Sequence, residues 1–575
     1  MPSNRQPDAA ERSTRPRDAA KRAHRKFRAK TGSLLTAITL ALLASAPPSL
    51  GTTGSAAAQE TSSTTPATYT RRTFDGREVS VRADLFVANR IVVATEPGTS
   101  VADLVNSFIQ DGPAVGQPRV RRLTETGTYF SVEFDAADGT QSTRGVQQII
   151  SGDDPAVDTL PATNLLASIR TAPGVLAASR DYVFSIAQAD DVNAIIGNPD
   201  QEADGGEKAP STPRPAPGGS DQIGGRPSSF PNDPGYRQLW HLKMHGTAYS
   251  DTTAPGASNF PYQWSRTPDA SSVVVAVLDT GLVANHPDVD YANAIVPGFD
   301  FISEGAEVSN DGSPGYDADP TDPPNSALTT DCGGNGFHGT HVAGTVGAAI
   351  TNNNTGISGG AWNVKIQPVR VLNKCGGGTL RDILLGLYWA AGIPIDGLPD
   401  NQTPAQIINL SLGGLSSDGC PAAFQRALEQ IARKGILVIA AAGNEGSPAS
   451  TAMPANCNDI LTVAASDQRG HLTSFSNFGD IIDIMAPGGD INRDDDGDGQ
   501  NDGVLSLVEN GYARYNGTSM AAPMVAAAAA MLKVENPSLT PPDIRKLLKE
   551  NAIPRDAAQC AKPCGAGLLN LDFVR

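Results

Sequence analysis

Two kinds of hydrophobic pattern alternate along the C-terminal part of the 575-residue chain. Short continuous apolar runs are typical of strands buried on both faces, and apolar positions that recur every three or four residues are typical of helices. The apolar runs cover residues 273–278, 365–372, 406–412, 436–441 and 460–465. The helical patterns cover residues 338–350, 380–391, 422–434, 518–534 and 541–551. This alternation predicts an α/β fold of three layers, with a mostly parallel central sheet between helices.

A smaller pattern precedes this region. Strand patterns at residues 88–95, 129–134 and 174–184, and helical patterns at 101–109 and 164–171, predict a small α+β unit. After it, periodicity is lost in a stretch rich in Pro and Gly, a composition that cannot bury a core. The predicted division is an α+β unit in residues 59–190, a linker in 191–230 and a large domain in 231–575.

Charge is distributed unevenly along the chain. Residues 1–30 hold ten Lys or Arg against three acidic residues, whereas the whole chain has a net charge of −17. An acidic body argues against a nucleic-acid partner. The basic start leads into an apolar stretch at 33–46, which is shorter than the about 20 residues of a membrane span. We therefore predict a signal peptide in residues 1–58, cleaved after Ala46 or Ala58; an uncleaved anchor is the alternative.

Six cysteines lie between residues 332 and 564. An even number in an exported chain predicts disulfides, although fifteen connectivities are possible for six cysteines. Short loops are the least costly to close, which favours pairing neighbours in sequence. The favoured pairs are Cys332 with Cys375, Cys420 with Cys457, and Cys560 with Cys564. Zinc is the competing interpretation, but the sequence has no Cys-x-x-Cys pair.

Polar residues follow several predicted strands and begin two predicted helices. Asp279 follows the first strand, Ser411–Gly414 end the third, and Asn444 follows the fourth, while helices begin near His338 and Ser519. Parallel sheets bind ligands at the carboxyl ends of their strands. A serine hydroxyl becomes a nucleophile when a neutral imidazole takes its proton, and a carboxylate holds that imidazole in one tautomer. These residue types together are those that acyl transfer requires.

Three segments carry a closer resemblance. Val277–Gly281, His338–Gly344 and Gly517–Pro523 resemble the three catalytic signatures of the subtilisin-like serine proteases, in that family's order of Asp, His and Ser. Further matching segments within residues 231–575 are Ser411–Gly414, Ala442–Glu445 and Cys564–Leu568. In the third signature, Gly517 permits a close approach and Pro523 suits a first helical turn. The resemblance implies a subtilisin-like fold.

The resemblance also implies a role for each residue. Ser519 is the nucleophile, His338 the general base, Asp279 its orienting carboxylate, and Asn444 a donor to the oxyanion. Each residue alone would have an ordinary role in a turn, a helix cap or a loop, so the assignment depends on their joint order and flanking residues. His341 is expected to be structural, not part of a metal-binding pair.

Two rival classes remain. One is a pseudoprotease, a binding protein on the same scaffold, although all four polar catalytic positions are intact. The other is a lipase or esterase, which is disfavoured because Ser519 lacks the Gly-x-Ser-x-Gly elbow and because the order of the three residues differs.

The substrate site is implied by the same resemblance. Ser411, Leu412 and Gly413 resemble the edge that pairs with an extended substrate through backbone hydrogen bonds. The walls and floor of the first specificity pocket correspond to Ala441, Ala442, Gly443 and Ala452. Ala452 would make the pocket shallower than a glycine would. Apolar or medium-sized side chains are therefore expected in this pocket.

Two segments suggest structural calcium. Asp288 and the loop residues Asn353, Thr355 and Ile357 resemble a calcium site of the family. The second segment places Asp494, Asp496 and Asp498 at alternating positions before a glycine, as in an oxygen-ligand loop, but Leu505 stands where a closing Glu would be expected. This acidic loop is either a short calcium site or a solvated insertion.

The small α+β unit faintly resembles the family's inhibitory, folding-assisting propeptide. Cleavage is expected in residues 215–230, with a mature start near Phe230. The prediction is a secreted, monomeric, calcium-stabilised serine endopeptidase, made as a self-processing zymogen with its propeptide as intramolecular inhibitor. It would act on proteins or peptides and would have no stable membrane anchor.

Overall fold

The computed structural model describes residues 69–72, 78–81, 85–109, 118–124, 128–134, 149–151, 161–186, 222–223, 226–227, 230–303, 315–323, 336–416 and 418–573. The predicted signal peptide and most of the predicted linker lie outside these ranges. Within them, every helix is too short or too polar to cross a membrane.

The N-terminal unit is built from antiparallel strands and two helices. Its strands are β1 (Tyr69–Arg72), β2 (Glu78–Val81), β3 (Leu85–Thr95), β4 (Arg119–Arg122), β5 (Tyr129–Glu133), β6 (Ile149–Ser151) and β7 (Val175–Ile186). Its helices are α1 (Val101–Ile109) and α2 (Pro161–Ile169). Strands β7, β3, β5 and β4 lie side by side in that order. The predicted α+β elements are therefore present, each within a few residues of its expected bounds.

The two faces of this small sheet have different neighbours. Ile91 and Val93 pack with residues of α1 and α2 in one buried cluster. The alternate residues Val92 and Ala94 belong to a cluster that also contains residues of the large domain. Because successive residues of a strand point to opposite faces, one face of β3 carries the unit's own helices and the other lies on the large domain.

A seven-stranded parallel sheet forms the centre of the large domain. Its strands are β12 (Val274–Asp279), β13 (Phe299–Asp300), β14 (Lys365–Arg370), β16 (Ile407–Leu410), β18 (Leu437–Ala441), β20 (Ile460–Ser466) and β21 (Ile484–Pro487). The strand order is β13-β14-β12-β16-β18-β20-β21, with every pairing parallel. All the strands are almost completely buried, which explains their continuous apolar runs.

Helices cover both faces of this sheet. They are α3 (Phe260–Trp264), α4 (His338–Ala343), α5 (Leu380–Ala390), α6 (Ala422–Arg433), α7 (Thr518–Glu535) and α8 (Pro541–Glu550). Val275 and Val277 of β12 share a buried cluster with α7, whereas Ala276 and Leu278 share one with α5 and α6. The predicted three-layer α/β fold is confirmed.

The remaining strands are short; the first two lie in the predicted linker and the others in the large domain. They are β8 (Gln222–Ile223), β9 (Arg226–Pro227), β10 (Met244–His245), β11 (Thr253–Ala254), β15 (Gly377–Thr379), β17 (Leu412–Leu415), β19 (Ala452–Met453), β22 (Val504–Val508) and β23 (Gly511–Tyr515). The predicted third strand therefore divides at Ser411 into β16, in the central sheet, and β17, outside it.

Two expectations about helices are wrong in detail. The predicted helix 338–350 is α-helical only to Ala343 and continues as a π-helical segment, Gly344–Ala348, in which Gly347 has a φ of 156°.

Pro523 is not in the first turn of α7, because the helix begins at Thr518 and places Pro523 in the second turn. Since proline has no N–H, the carbonyl of Ser519 has no intrahelical donor at that position, and the Ser411 hydroxyl donates to it at 2.8 Å.

Disulfides join Cys420 with Cys457 and Cys560 with Cys564, as predicted. Cys332, the predicted partner of Cys375, lies outside the described residues.

Candidate active site

A buried carboxylate–imidazole pair lies at the carboxyl end of β12. Asp279 is the last residue of this strand and His338 is the first residue of α4, and both side chains are completely buried. His338 Nδ1 lies 2.8 Å from Asp279 Oδ1 and 3.0 Å from Oδ2. Because a carboxylate only accepts, Nδ1 carries the proton and Nε2 is the basic nitrogen.

Thr280 and Asp322 fix the position of this pair, and sequence reasoning did not identify them. The Thr280 hydroxyl donates to Asp322 Oδ2 at 2.7 Å and accepts from the Gly339 N–H at 3.0 Å. The end of β12 is thereby tied to the start of α4. No short motif could reveal this contact, because Asp322 is distant in sequence from both.

Ser519 lies in the first turn of α7, where backbone N–H groups point toward any developing negative charge. Its hydroxyl donates to the carbonyl of Ser411 at 3.0 Å, and the Ser411 hydroxyl donates back to the carbonyl of Ser519 at 2.8 Å. His338 Nε2 has no hydrogen-bond partner among the described residues.

Asn444 is held beside Ser519 by the preceding residue of α7. Its side-chain oxygen accepts from both the N–H and the hydroxyl of Thr518, each at 2.9 Å. With the oxygen engaged in this way, the Nδ2 hydrogens are the donors that this amide can offer to a substrate.

The strand register brings these groups to one edge. Leu278 of β12 is paired with Leu410 of β16, so the next residues along the parallel strands, Asp279 and Ser411, are neighbours at the carboxyl end. Ser411 in turn contacts Ser519, beside which Asn444 is held. The four predicted catalytic residues are therefore gathered at one edge of the sheet.

His341 is structural, as expected. Its Nε2 lies 3.0 Å from the carbonyl oxygens of Val504 and Ala513, and its ring stacks on Tyr515 with centroids 4.3 Å apart. Burial lowers the pKa of His341 to about 3, so the ring stays neutral.

The predicted substrate edge is occupied by the chain's own strand β7. Leu412 is paired with Ile186, and Gly413 with Ser185, in antiparallel register. On its other side β7 pairs with β15, where Gly378 faces Phe184. Strand β7 thus lies between two strands of the large domain, as an extended substrate would in a β-augmented complex.

The predicted pocket residues surround the end of this edge. Ala441 ends β18, Ala442 and Gly443 follow it, and Ala452 lies in β19, where it pairs with Leu415 of β17. All four are buried. Gly443 has a φ of 98°, and a Cβ there would lie 2.4 Å from Asn477 Nδ2.

Asn477 organises the loop after β18 and was missed by sequence reasoning. It is fully buried, donates to the carbonyl of Ala442 at 3.0 Å and accepts from the N–H of Glu445 at 3.2 Å and that of Ser447 at 2.9 Å. It therefore sets the path of the backbone on either side of Asn444.

The first predicted calcium segment combines a buried carboxylate, Asp288, with the half-buried Asn353 and the exposed Thr355. Asp288 Oδ2 accepts from the N–H of Ile357 at 2.9 Å, whereas Oδ1 is buried with no hydrogen-bond partner. The Asn353 side-chain oxygen accepts from the Thr355 N–H and hydroxyl, both at 2.8 Å. Asp233, which sequence reasoning missed, accepts from the Asn353 N–H at 3.1 Å. Burial raises the pKa of Asp288 to about 7 and that of Asp233 to about 6.

The acidic loop gathers a different set from the predicted one. Carboxylate oxygens of Asp494, Asp496 and Asp502 lie within 4.8 Å of one another. Asp498 instead accepts from the N–H of Gln500 within the loop. Burial raises the pKa of Asp502 to about 7. The buried Gln468 donates to Asp496 at 2.9 Å.

Comparison with known proteins identifies the family. The sequence model of the subtilase family matches residues 270–567. The chain is 41% identical over 349 residues to an extracellular protease of Xanthomonas campestris pv. campestris, covering 60% of this chain and 56% of that protein. It is 40% identical over 316 residues to an extracellular basic protease of Dichelobacter nodosus, covering 53% and 48% respectively. The chain thus spans about half the length of these curated relatives.

A solved structure agrees with this assignment. A protease from Pseudoalteromonas arctica matches at 39% identity with a TM-score of 0.52, covering 60% of this chain and 97% of that one. The family model covers more than half of the chain and includes all three signature segments. The chain therefore belongs to the subtilase family.

Proposed function

We propose that this chain is a serine endopeptidase that hydrolyses peptide bonds in proteins through an acyl-enzyme. The observation that carries the proposal is the buried Asp279–His338 pair, held at the sheet edge next to the residue that contacts Ser519. The names of the relatives, extracellular proteases, support it.

The mechanism follows from the positions of the proton donors and acceptors. His338 Nε2 takes the proton from Ser519 Oγ as this oxygen attacks the substrate carbonyl, and Asp279 stabilises the imidazolium through Nδ1–H. The oxyanion accepts hydrogen bonds from Asn444 Nδ2 and the N–H of Ser519. His338 then protonates the leaving amine, and a water molecule, activated in the same way, hydrolyses the acyl-enzyme.

For Ser519 to react, its hydroxyl must turn from the Ser411 carbonyl toward His338. In the described conformation the hydroxyl donates to that carbonyl. Strand β7 of the N-terminal unit pairs with the same edge. The hydroxyl of Ser519 is therefore described with the cleft occupied by β7.

Replacement of the nucleophile tests the proposal. Ser519→Ala should abolish hydrolysis of casein and leave the precursor at full length in a protease-deficient host. Ser538→Ala, at an exposed turn, is the matched control and should behave as wild type. Equal hydrolysis and equal processing by both variants would contradict the proposal, and an inactive wild type would favour a pseudoprotease.

We further propose that the protein is secreted as a zymogen in which residues 59–190 inhibit the large domain. The support is the position of β7, which occupies the substrate edge on both sides. Of the predicted maturation segment 215–230, only two short strands and Phe230 are described. Ile186, the last residue of β7, is paired with Leu412, the residue next to Ser411, whose carbonyl accepts from Ser519. A first cut after Ala187, preceding any later trimming, is therefore part of the proposal.

Calcium is proposed as a structural ion at the first site. The donor set fits, because Asp288 offers a buried oxygen without a hydrogen-bond partner and Asp233 adds a second buried carboxylate nearby. Hard oxygen ligands of this kind suit Ca²⁺. Asp288, Asn353, Thr355 and Ile357, joined by Asp233, would hold the ion, which would neutralise the two carboxylates.

The acidic loop is proposed as a second, weaker calcium site. Three carboxylates whose oxygens lie within 4.8 Å of one another repel in the absence of a cation. Asp494, Asp496 and Asp502 would hold the ion, and Asp498 would remain in its turn. Its occupancy would stabilise the loop and take no part in the reaction.

A further inference from the structure

The outermost strand of the N-terminal unit also contacts the large domain, through residues that are not part of the substrate edge. Strand β4 is the outermost of the order β7-β3-β5-β4. Arg122 on this strand donates from Nε and Nη2 to Asp396 Oδ2 and Oδ1, at 3.0 and 2.8 Å. This is a bidentate pair, the strongest geometry for arginine and a carboxylate. Arg121 places its guanidinium 5.1 Å from the ring centroid of Tyr316.

The aromatic partner, Tyr316, is held in place by hydrogen bonds with residues of the large domain itself. The Tyr316 hydroxyl accepts from Arg381 Nη2 at 2.8 Å and donates to Asp382 Oδ1 at 3.0 Å. Arg381 and Asp382 lie in the first turn of α5, and Asp396 lies shortly after the same helix ends. Arg121 therefore contacts a residue bound to the start of α5, and Arg122 contacts a residue that follows α5 in sequence.

We propose that this arginine clamp, Arg121 on Tyr316 and Arg122 on Asp396, sets how long the N-terminal unit stays bound after the chain is cut, and makes that lifetime depend on ionic strength. The inference rests on the proposed zymogen and names the regulation of its active site. Inhibition itself belongs to β7 in the cleft; the clamp controls release.

Exposure explains the expected salt dependence. The Arg122 and Asp396 side chains are 48% and 38% exposed, so dissolved ions screen their attraction. Other contacts between the two parts are buried: Phe184 stacks on Phe424 with centroids 5.9 Å apart, and Asp181 accepts from the Arg381 N–H at 2.9 Å. Dissolved ions screen buried contacts much less than exposed ones. Raising the ionic strength therefore loosens the clamp selectively.

The same strand supplies a matched control. Arg119 is also on β4, but the carboxylate near it, Glu133, belongs to the N-terminal unit itself and lies 3.8 Å away. Replacing Arg119 removes the same charge from the same strand without removing a contact of the clamp.

Release can be measured without catalysis. Full-length Ser519→Ala protein is cut within residues 190–229 by an added protease, and dissociation of the two pieces is followed by gel filtration at increasing NaCl. Adding Arg121→Ala and Arg122→Ala should raise the dissociation rate about tenfold over the parent at low salt. At high salt the two dissociation rates should become equal. Arg119→Ala should dissociate like the parent. Equal rates for the double variant and the control, or a gain independent of salt, would overturn the proposal.

Exchanging the charges of Arg122 and Asp396 tests whether the effect is specific to this pair or results from a general disturbance of the N-terminal unit. Arg122→Asp should shorten the lifetime of the cut complex, and combining it with Asp396→Arg should restore most of it. Failure of the exchange to restore the lifetime would overturn the pairing. In active protein, the double alanine variant should shorten the lag before hydrolysis begins. An inactive wild type with the expected dissociation rates would refute the proposed function and leave the clamp standing.

Discussion

At the residue scale, the hydrogen bonds of Asn444 leave its side-chain amide only a donor role. Thr518 engages its oxygen twice, so only the nitrogen can serve the substrate. Asn444→Ala should therefore lower kcat by about 10²–10³ with little change in KM, the magnitude established for subtilisin, a member of the same family. Thr518→Ala, which keeps the backbone donor, should cost less. Steady-state kinetics on a peptide substrate would check this; a raised KM with unchanged kcat would contradict it.

The protonation of Asp288 makes the proposed stabilisation by calcium depend on pH. Burial raises the pKa of Asp288 from the ordinary value of 3.8 to about 7, so without a cation the folded protein holds this proton more tightly than the unfolded chain does and loses stability as pH rises between these two values. Ca²⁺ binds the ionised form and offsets this loss. A chelator should consequently lower Tm by several degrees at pH 8 and very little at pH 5.

Matched variants sharpen this prediction. Asp288→Asn should reduce the chelator effect at pH 8, whereas Asp400→Asn, an exposed carboxylate, should retain it. A chelator effect of the same size at both pH values would count against the linkage. Thermal unfolding monitored by circular dichroism provides the measurement.

At the element scale, the two disulfides differ in the loops they close. Cys420 and Cys457 are 37 residues apart and join the start of α6 to the segment before β20, whereas Cys560 and Cys564 are only 4 apart. Closing the longer loop removes more entropy from the unfolded chain. Replacing the first pair by serine should cost about 4 kcal/mol of unfolding free energy and the second about 2 kcal/mol. Denaturant unfolding in the Ser519→Ala background would test the ranking, which equal losses would contradict.

The elements also show what the sequence could predict. The strands and helices of both units were identified because their apolar periodicity is local. The end of α4 and the division at Ser411 were not, because they depend on tertiary contacts. Gly347 illustrates this: a Cβ there would lie 2.1 Å from the carbonyl of Ala361, a contact that a reading of neighbouring residues cannot reveal.

The residues of the candidate site also fall into two groups, those that local sequence motifs reveal and those that only the fold brings to the site. Asp279, His338, Ser519 and Asn444 each lie in a short motif, so their types and order identify them. The residues that position them are not identified in this way. Thr280 is held by a hydrogen bond to Asp322, and the loop around Asn444 by hydrogen bonds to Asn477, and both partners are distant in sequence. Asp233 and Asp502 were missed for the same reason, since each joins its cluster only through the fold.

At the scale of the whole molecule, the register of β7 predicts the order of maturation. Ile186, the last residue of β7, is paired with Leu412, the residue next to Ser411, whose carbonyl accepts from the Ser519 hydroxyl. The first new N-terminus detected should therefore be Gln188, and any terminus within 215–230 should appear later. N-terminal sequencing over a time course measures this. A terminus in 215–230 that precedes Gln188 would contradict the predicted order.

One buried ion pair bears on the strength of the whole assembly. Arg90 and Asp181 both belong to the N-terminal unit, lie 2.7 Å apart and are 1% and 0% exposed. Asp181 also accepts from the N–H of Arg381 in α5, so the pair faces the large domain. Burying both charges removes their water, which costs free energy that their mutual attraction only partly returns. In the zymogen proposed above, this desolvation penalty opposes permanent binding of the N-terminal unit and so favours its release.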